Sequence, residues 1–99
     1  MTDWTDEELE ATIIAYLDMR TADHDGRPYN KAEVNAALRE GPLKTRTKGS
    51  VEYRMQNLSA VLNELGHEWL TGYKPAGNVG LGVKNRLLVI LARHGIHPL

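Results

Sequence analysis

Five apolar residues in the middle of this chain follow one another at intervals of four, three, four and three positions. This spacing places them on one side of an α-helix, and that side must be buried against the rest of the fold. The pattern therefore predicts a helix that begins at a Thr47 or Ser50 cap and ends just before Gly66, a residue suited to the left-handed turn after a helix. The five residues are Val51, Met55, Leu58, Leu62 and Leu65.

A second helix is predicted near the N-terminus. Thr5 and Glu8 have the three-residue spacing of a capping box, and the helix that they begin should run to about Arg20. We expect Trp4, directly before the cap, to pack onto the first turn. The residues predicted to face inward are Leu9, Ile13, Tyr16 and Leu17.

Two more helices are predicted from similar signals. Asn30 and Glu33 form a second capping pair, and the helix after them should stop at Gly41, which precedes a proline. The last helix should start near residues 78–79 and end at Gly95. The residues predicted to face inward are Val34, Ala37 and Leu38 in the former and Val83, Leu87, Ile90, Leu91 and His94 in the latter.

The connection before the last helix is rich in glycine, proline and aromatic residues. Residues 69–71 are predicted as a short extended segment, and residues 72–77 as a tight loop. Four helices with one β-like connection indicate a mainly α fold: a small four-helix domain, winged-helix-like, with a short β wing. A chain of 99 residues is long enough for one core, so residues 1–99 are expected to form a single domain.

Composition excludes several classes of protein. The chain has no cysteine, which rules out disulfides and cysteine-ligated metals. No apolar run approaches the ~20 residues that a membrane helix needs, and the acidic start of the chain does not resemble a secretory signal. We therefore expect a cytoplasmic protein that does not associate with membranes.

The formal net charge of −1 hides an uneven distribution along the chain. Residues 1–30 carry eight acidic and two basic side chains, whereas residues 31–99 carry five acidic and ten basic ones. Binding to a polyanion depends on the local field of one surface, so a near-neutral total does not exclude it. The asymmetry is equally consistent with acidic and basic surfaces that simply lie on different elements.

A basic turn leads into the central helix and makes the exposed side of that helix the best candidate for a binding surface. No acidic residue lies between residues 44 and 51. Cations, hydroxyls, amides and the N–H groups of a helix N-terminus hold phosphates and read base edges. The alternative is a solvated helix face with Arg54 stretched along the edge of the core. Ser50 is the candidate for a phosphate at the helix start, Asn57 for an adenine edge and Tyr53 for stacking or a methyl contact. The candidates for other phosphate contacts are Arg46, Lys48, Arg54 and Lys74, with Tyr73 beside Lys74 in the loop.

Groups that could carry catalysis are sparse. The four histidines do not share the His-x-x-x-His spacing of a zinc site, and the glycines of residues 77–82 lack the spacing of a nucleotide-binding loop. His67 and Glu68 could serve a hydrolase, but that chemistry needs a third, orienting group, which the sequence does not indicate. We therefore expect a non-catalytic domain without a metal or a cofactor.

Four blocks of the chain resemble one domain family. They are Trp-Thr-x-Glu-Glu at residues 4–8, Tyr-Asn-Lys-Ala-Glu at 29–33, Gly-Ser-Val-Glu-Tyr-Arg-x-Gln-Asn-Leu-Ser-Ala-Val-Leu-x-Glu-Leu-Gly at 49–66 and Gly-Tyr-Lys-Pro-x-x-Asn at 72–78. Together they are similar to the N-terminal domain joined to HNH nucleases and other restriction-type modules in bacteria, including modification-dependent restriction endonucleases.

The resemblance implies a DNA-targeting domain excised from the N-terminus of a larger restriction endonuclease. Its partners would be duplex DNA, including modified DNA, and a C-terminal nuclease domain that performs the cleavage. Ser50, Tyr53, Arg54 and Asn57 fall on the matching helix. The matching loop holds Gly72, Tyr73, Lys74 and Asn78.

A different class of function is also consistent with the residues. The chain could be a protein-interaction or dimerisation module that positions neighbouring domains and forms a homodimer. Its contact surface would then be an aromatic patch of Tyr53, Trp69 and Tyr73, since aromatic residues often anchor protein interfaces.

Overall fold

Each predicted helix forms, and a side-chain cap marks where each of the first three begins. The structure, a computed structural model, describes residues 3–99. These residues fold into a compact all-helical domain of four helices. The helices are α1 (Asp6–His24), α2 (Lys31–Glu40), α3 (Lys48–Glu64) and α4 (Leu81–Arg93).

The capping predictions are confirmed for the first three helices. The Thr5 hydroxyl accepts the Glu8 N–H, and the Glu8 carboxylate accepts the Thr5 N–H in return. Asn30 caps α2 through its side-chain oxygen, which accepts the Glu33 N–H at 3.0 Å. The predicted cap of α3 was either Thr47 or Ser50. The structure shows that Thr47 caps the helix, because its hydroxyl accepts the N–H of Ser50.

Helix α1 lies at the centre of the core and packs against all three other helices. Its predicted inward residues are buried, except that Leu17 is half-buried at the edge. The helix runs one turn beyond the predicted end at Arg20, because Ala22 in that extra turn is also buried. Gly26, with φ of +71°, then turns the chain toward α2.

Helix α3 buries its predicted apolar side completely from Val51 to Leu62, and Leu65 is half-buried just beyond the helix. Gly66 follows with φ of +85°, as predicted. The burial extends farther around α3 than the apolar pattern indicates, since Asn57 and Ser59 are also fully buried. One side of this helix is therefore covered by a segment of the chain that the periodicity does not reveal.

A buried hydroxyl joins three parts of the core. The Tyr16 hydroxyl lies 2.7 Å from that of Ser59 on α3 and accepts the N–H of Leu70, at 2.8 Å, from the segment after α3. Burial raises the pKa of the Tyr16 phenol, which keeps it protonated. This residue therefore satisfies a buried backbone donor that would otherwise lack a partner.

Several predicted placements are wrong in detail. Ala37 is exposed, and Asn35 takes the inward position on α2, where its amide donates to the Lys48 carbonyl. Helix α4 begins at Leu81, two residues later than the predicted start. His94 faces outward rather than inward, and its Nε2 lies 3.0 Å from the Glu10 carboxylate.

The connection between α3 and α4 also differs from the prediction. No strand forms within residues 3–99, so the predicted extended segment at residues 69–71 and the β wing are not present there. The segment turns back onto the domain and buries Leu70. None of the described helices is long and apolar enough to cross a membrane.

Candidate nucleic-acid interface

The N-terminal turn of α3 is open and free of acidic residues. The N–H groups of Lys48 and Gly49 stand at the first two helical positions, where no intrahelical acceptor exists. The Thr47 side chain satisfies only the N–H group at the third position, that of Ser50. The Ser50 hydroxyl in turn donates to the Thr47 carbonyl at 2.9 Å. The turn can therefore offer two N–H groups and the ammonium of Lys48 to an anion.

Arg46 does not join this open turn. Its guanidinium donates to both oxygens of the Glu8 carboxylate, at 2.8 and 2.7 Å, and to the Asp3 carbonyl at 2.9 Å. Only 10% of the Arg46 side chain and 10% of that of Glu8 are exposed. Arg46 is therefore not the available cation that the sequence predicts, because the acidic N-terminal segment already neutralises its charge.

Glu8 and Arg46 stabilise each other's charged form. The hydrogen bonds from Arg46 hold the pKa of the Glu8 carboxyl at about 2, below its usual 4.5. The same hydrogen bonds from Glu8 raise the pKa of Arg46. The pair therefore stays ionised at neutral pH and links the start of α1 to the turn before α3.

Arg54 also points toward the N-terminal segment. Its Cζ lies 4.8 Å from the centre of the Trp4 ring, and that of Arg46 lies at the same distance. The Arg54 Nη1 donates to the Asn57 side chain at 3.0 Å, whereas its Nε is buried with no hydrogen-bond partner among the described residues. Burial lowers the pKa of this guanidinium. Arg54 thus lies along the edge of the core, as the alternative interpretation of this helix proposed.

Asn57 holds a loop and does not face solvent. It is 0% exposed, and its amide donates to the Ala76 carbonyl at 2.8 Å. The Ala76 N–H in turn donates to the Gln56 carbonyl at 3.1 Å. The predicted exposure of Asn57 is therefore wrong, and residues 73–78 are the segment that covers this side of α3.

Replacing Asn57 with alanine should loosen that loop. The change removes the bond to Ala76 and should cost about 1–2 kcal/mol of unfolding free energy, with faster exchange of the Ala76 amide proton. Hydrogen exchange followed by NMR would measure both effects. Asn63→Ala, at an exposed position on the same helix, is the matched control. Equal Ala76 exchange in the two variants would show that Asn57 does not anchor the loop.

Tyr53 and Asn78 meet at the other end of the loop. Tyr53 is 41% exposed, and its hydroxyl donates to the Asn78 carbonyl at 3.2 Å. The Asn78 side chain is exposed, and so is Lys74 in the same loop. These three positions remain accessible to a ligand, as predicted.

Tyr73 is buried and not part of the exposed surface. It is 4% exposed and stacks on Tyr16 with a centroid distance of 6.5 Å, and burial raises its pKa to about 12. Lys31 lies above the Tyr73 ring at 4.9 Å and donates to the Gly72 carbonyl at 2.6 Å. A Cβ at Gly72 would stand 2.9 Å from Cδ of Lys31, so a larger residue there would require the lysine side chain to shift.

These contacts form a groove between α2, α3 and the loop. Its volume is about 290 Å³, and Lys31, Lys48 and Glu52 supply the charges that line it. Lys74 is the next residue after Tyr73, which also lines the groove. We call this groove, together with Lys74, the lysine groove. Lys31 was not among the residues predicted from the sequence. The helix periodicity drew attention to the exposed side of α3, whereas Lys31 is the first residue of α2.

Comparison with known proteins does not identify a relative. No family model matches the chain. No curated protein and no solved structure matches it either. The resemblance to restriction-type domains therefore rests on the four sequence blocks, and the geometry described above is independent of it.

A polar cleft of about 440 Å³ lies at the opposite end of α3 from Lys48. His67 and Glu68 line it together with Arg20, Asp23 and His24. The Nε2 of His67 contacts the main-chain carbonyl of His97, which is a structural contact and not the carboxylate that would orient a catalytic base. The hydrolase hypothesis gains no support from this arrangement.

Proposed function

We propose that this chain is a non-catalytic DNA-binding domain and that the lysine groove holds the phosphate backbone of the duplex. The observation that carries the proposal is that Lys31 and Lys48 line one groove beside the open end of α3, with the exposed Lys74 directly after Tyr73 of its lining. Glu52 is the one carboxylate that lines this groove among residues 3–99, and it lies 4.0 Å from Lys48. Ammonium groups placed in this way can contact successive phosphates.

The described ion pairs set Lys74 apart from two of the arginines. Arg46 and Arg86 pair with Glu8 and Asp6, respectively. Lys74, in contrast, is exposed and forms no ion pair within residues 3–99. Charges that are not already neutralised release the most counterions when DNA binds, so they give the largest contribution to affinity.

The resemblance supports DNA over other polyanions. It implies that the parent protein is a restriction-type HNH endonuclease whose nuclease lies in another domain. In that setting the present domain targets DNA, including modified DNA, and Tyr53 and Asn78 are exposed polar groups on α3 and its loop for contacts beyond the backbone.

Removing two groove lysines should change how binding depends on salt. Lys48→Ala with Lys74→Ala should weaken duplex binding and reduce the slope of log K against log salt by about 2, since each phosphate contact contributes about 0.9. Fluorescence anisotropy of a labelled duplex at several ionic strengths would measure the slope. Lys84→Ala with Arg93→Ala on α4 removes the same charge from a helix that does not contact α2.

The outcome separates three explanations. A slope reduced only in the groove variant supports the proposal. An equal reduction of the slope in both double variants would indicate binding through net charge. An unchanged affinity in both variants would overturn the proposed function. The titration would then be repeated with duplexes that carry methylated cytosine, methylated adenine or phosphorothioate. This would show whether a modification adds affinity beyond that of the phosphate-backbone contacts.

The interaction-module alternative receives less support from the geometry. Of its three aromatic residues, Tyr53 is exposed, Trp69 is half-buried against the core and Tyr73 is buried. These rings do not present one exposed surface to a partner. Light scattering at several concentrations and salt levels would detect a salt-insensitive dimer if the alternative holds.

A further inference from the structure

The lysine groove contains a hydroxyl that the fold itself does not use. Tyr73 lines the groove and is only 4% exposed, and its hydroxyl makes no hydrogen bond with the described residues. The hydroxyl is not sealed off, because Arg54 Nε is the one fully buried side-chain polar atom without a partner in residues 3–99. The Tyr73 hydroxyl therefore opens into the groove, where it can both donate and accept a hydrogen bond.

A carboxylate and an ammonium line the same groove without saturating each other. Lys48 and Glu52 stand one turn apart on α3, and the Lys48 Nζ lies 4.0 Å from the Glu52 Oε1. A hydrogen bond between such groups has a length of about 2.7–2.9 Å, so the Glu52 carboxylate is not engaged in one with Lys48. The carboxylate oxygens of Glu52 can therefore accept from a ligand.

A second ammonium reaches the groove from α2. Lys31 lies above the Tyr73 ring at 4.9 Å and donates to the Gly72 carbonyl at 2.6 Å. An ammonium carries three N–H groups, so this contact leaves others for a ligand. The groove thus combines one carboxylate with donors from Lys31 and Tyr73.

Guanine is the nucleic-acid base whose Watson–Crick edge complements this set. It presents two adjacent donors, the N–H groups of N1 and N2, beside the O6 acceptor. A carboxylate can accept both N–H groups at once, while an ammonium or a phenol donates to O6. Adenine, cytosine and thymine each place an acceptor atom beside their donor, and that acceptor would face the carboxylate oxygens unfavourably.

We propose that the lysine groove takes one unpaired guanine, with Glu52 on its N1 and N2 groups and with the Tyr73 hydroxyl and the Lys31 ammonium on O6. A guanine paired with cytosine has this edge occupied, so only an unpaired one can enter. The inference rests on the proposed function, in which the flanking phosphates lie on Lys48 and Lys74. A phosphate deeper in the groove would face the Glu52 carboxylate. The volume of about 290 Å³ is at the small end of the range for ligand pockets, which suits one base better than several.

Duplexes with a single bulged nucleotide test the base preference. Four labelled probes would differ only in the bulged base, so they carry the same number of phosphates and the same backbone contribution. Fluorescence anisotropy should show that bulged guanine binds about tenfold more tightly than bulged adenine, cytosine or thymine. Equal affinity for all four probes would overturn this inference and leave the proposed function standing, whereas binding to none of them would overturn both.

A pair of charge-matched variants assigns the preference to one carboxylate. Glu52→Gln should reduce the ratio of guanine to thymine affinity to about twofold, because an amide offers one acceptor where the carboxylate offers two. Glu40→Gln removes the same charge from an exposed position on α2 that does not line the groove, and it should keep the tenfold ratio. An equal ratio in the two variants would overturn the proposal.

Tyr73→Phe tests the unused hydroxyl separately. It should reduce the guanine preference about threefold and leave the melting temperature unchanged, since the hydroxyl has no partner within the described fold. An unchanged preference would remove Tyr73 from the site and overturn the proposed contact with O6.

Deoxyguanosine monophosphate distinguishes a nucleic-acid site from a site for free nucleotides. As a competitor it should require a concentration about a hundredfold above that of an unlabelled duplex with bulged guanine, because it lacks the flanking phosphates. Displacement by the two competitors at equal concentrations would show that the groove takes the free nucleotide and would overturn its assignment to DNA.

Discussion

Replacing Glu8 with glutamine is expected to lower the free energy of unfolding at pH 7 by about 3 kcal/mol. Glutamine can still close the capping box with Thr5, so the substitution removes the charge and keeps the cap. The Arg46 guanidinium, only 10% exposed, would then lack its carboxylate partner. Urea unfolding followed by far-ultraviolet circular dichroism would measure the loss.

The same ion pair predicts a specific pH dependence. Folding lowers the pKa of Glu8 from 4.5 to about 2, so the stabilisation is fully present above pH 4.5 and is lost as the pH falls toward 2. The difference between the unmodified chain and Glu8→Gln should therefore be constant from pH 7 to about pH 5 and shrink through this window.

Glu7→Gln provides the matched control for both measurements. Glu7 lies in the same first turn of α1 but is exposed. We expect a change within about 0.5 kcal/mol for this variant, which is typical of a surface substitution. If Glu8→Gln is no more destabilising than Glu7→Gln, then the contact with Arg46 does not hold the N-terminal segment in place.

Tyr16→Phe is expected to cost about 2 kcal/mol of unfolding free energy. Phenylalanine keeps the ring and its packing against Tyr73 but removes the hydroxyl. The buried N–H of Leu70 would lose its acceptor, and the Ser59 hydroxyl would lose its partner. The large effect follows from burial, since water cannot replace either bond.

Thermal and urea unfolding would measure the cost of the Tyr16 substitution, with Tyr29→Phe as the control. Tyr29 is half-buried and makes no hydrogen bond through its hydroxyl with the described residues, so its loss should change stability little. A Tyr16→Phe variant as stable as the unmodified chain would show that the Leu70 N–H finds another acceptor. The connection after α3 would then not depend on the core tyrosine.

The exposed and the buried cations of this chain cannot be told apart by reading the sequence. Arg46 and Lys48 stand two residues apart in the same basic turn. Thr47 lies between them at the helix cap, and the chain changes direction there, so one cation points to Glu8 and the other to solvent. Because Glu8 is 38 residues away in the chain, no local pattern predicts that contact.

Asn57 illustrates a second limit of sequence patterns. Its position on the polar side of α3 made it a candidate for reading bases. The polar side is instead covered by residues 73–78, and the amide pairs with the Ala76 carbonyl. A buried side-chain amide and an exposed one have the same residue type and the same helical position, so only the path of a distant loop distinguishes them.

The sequence by itself determined the four helices, because caps, glycines and apolar intervals are local: the Thr5–Glu8 box, the Thr47 cap and Gly66 lie where short-range hydrogen bonds and sterics require them. The tertiary structure alone decided which polar groups are available to a ligand. It paired Arg46 with Glu8, buried Asn57 and Tyr73, and brought Lys31 from another helix to the groove. The physical reason is that helix formation depends on neighbours in the chain, whereas exposure and charge neutralisation depend on neighbours in space.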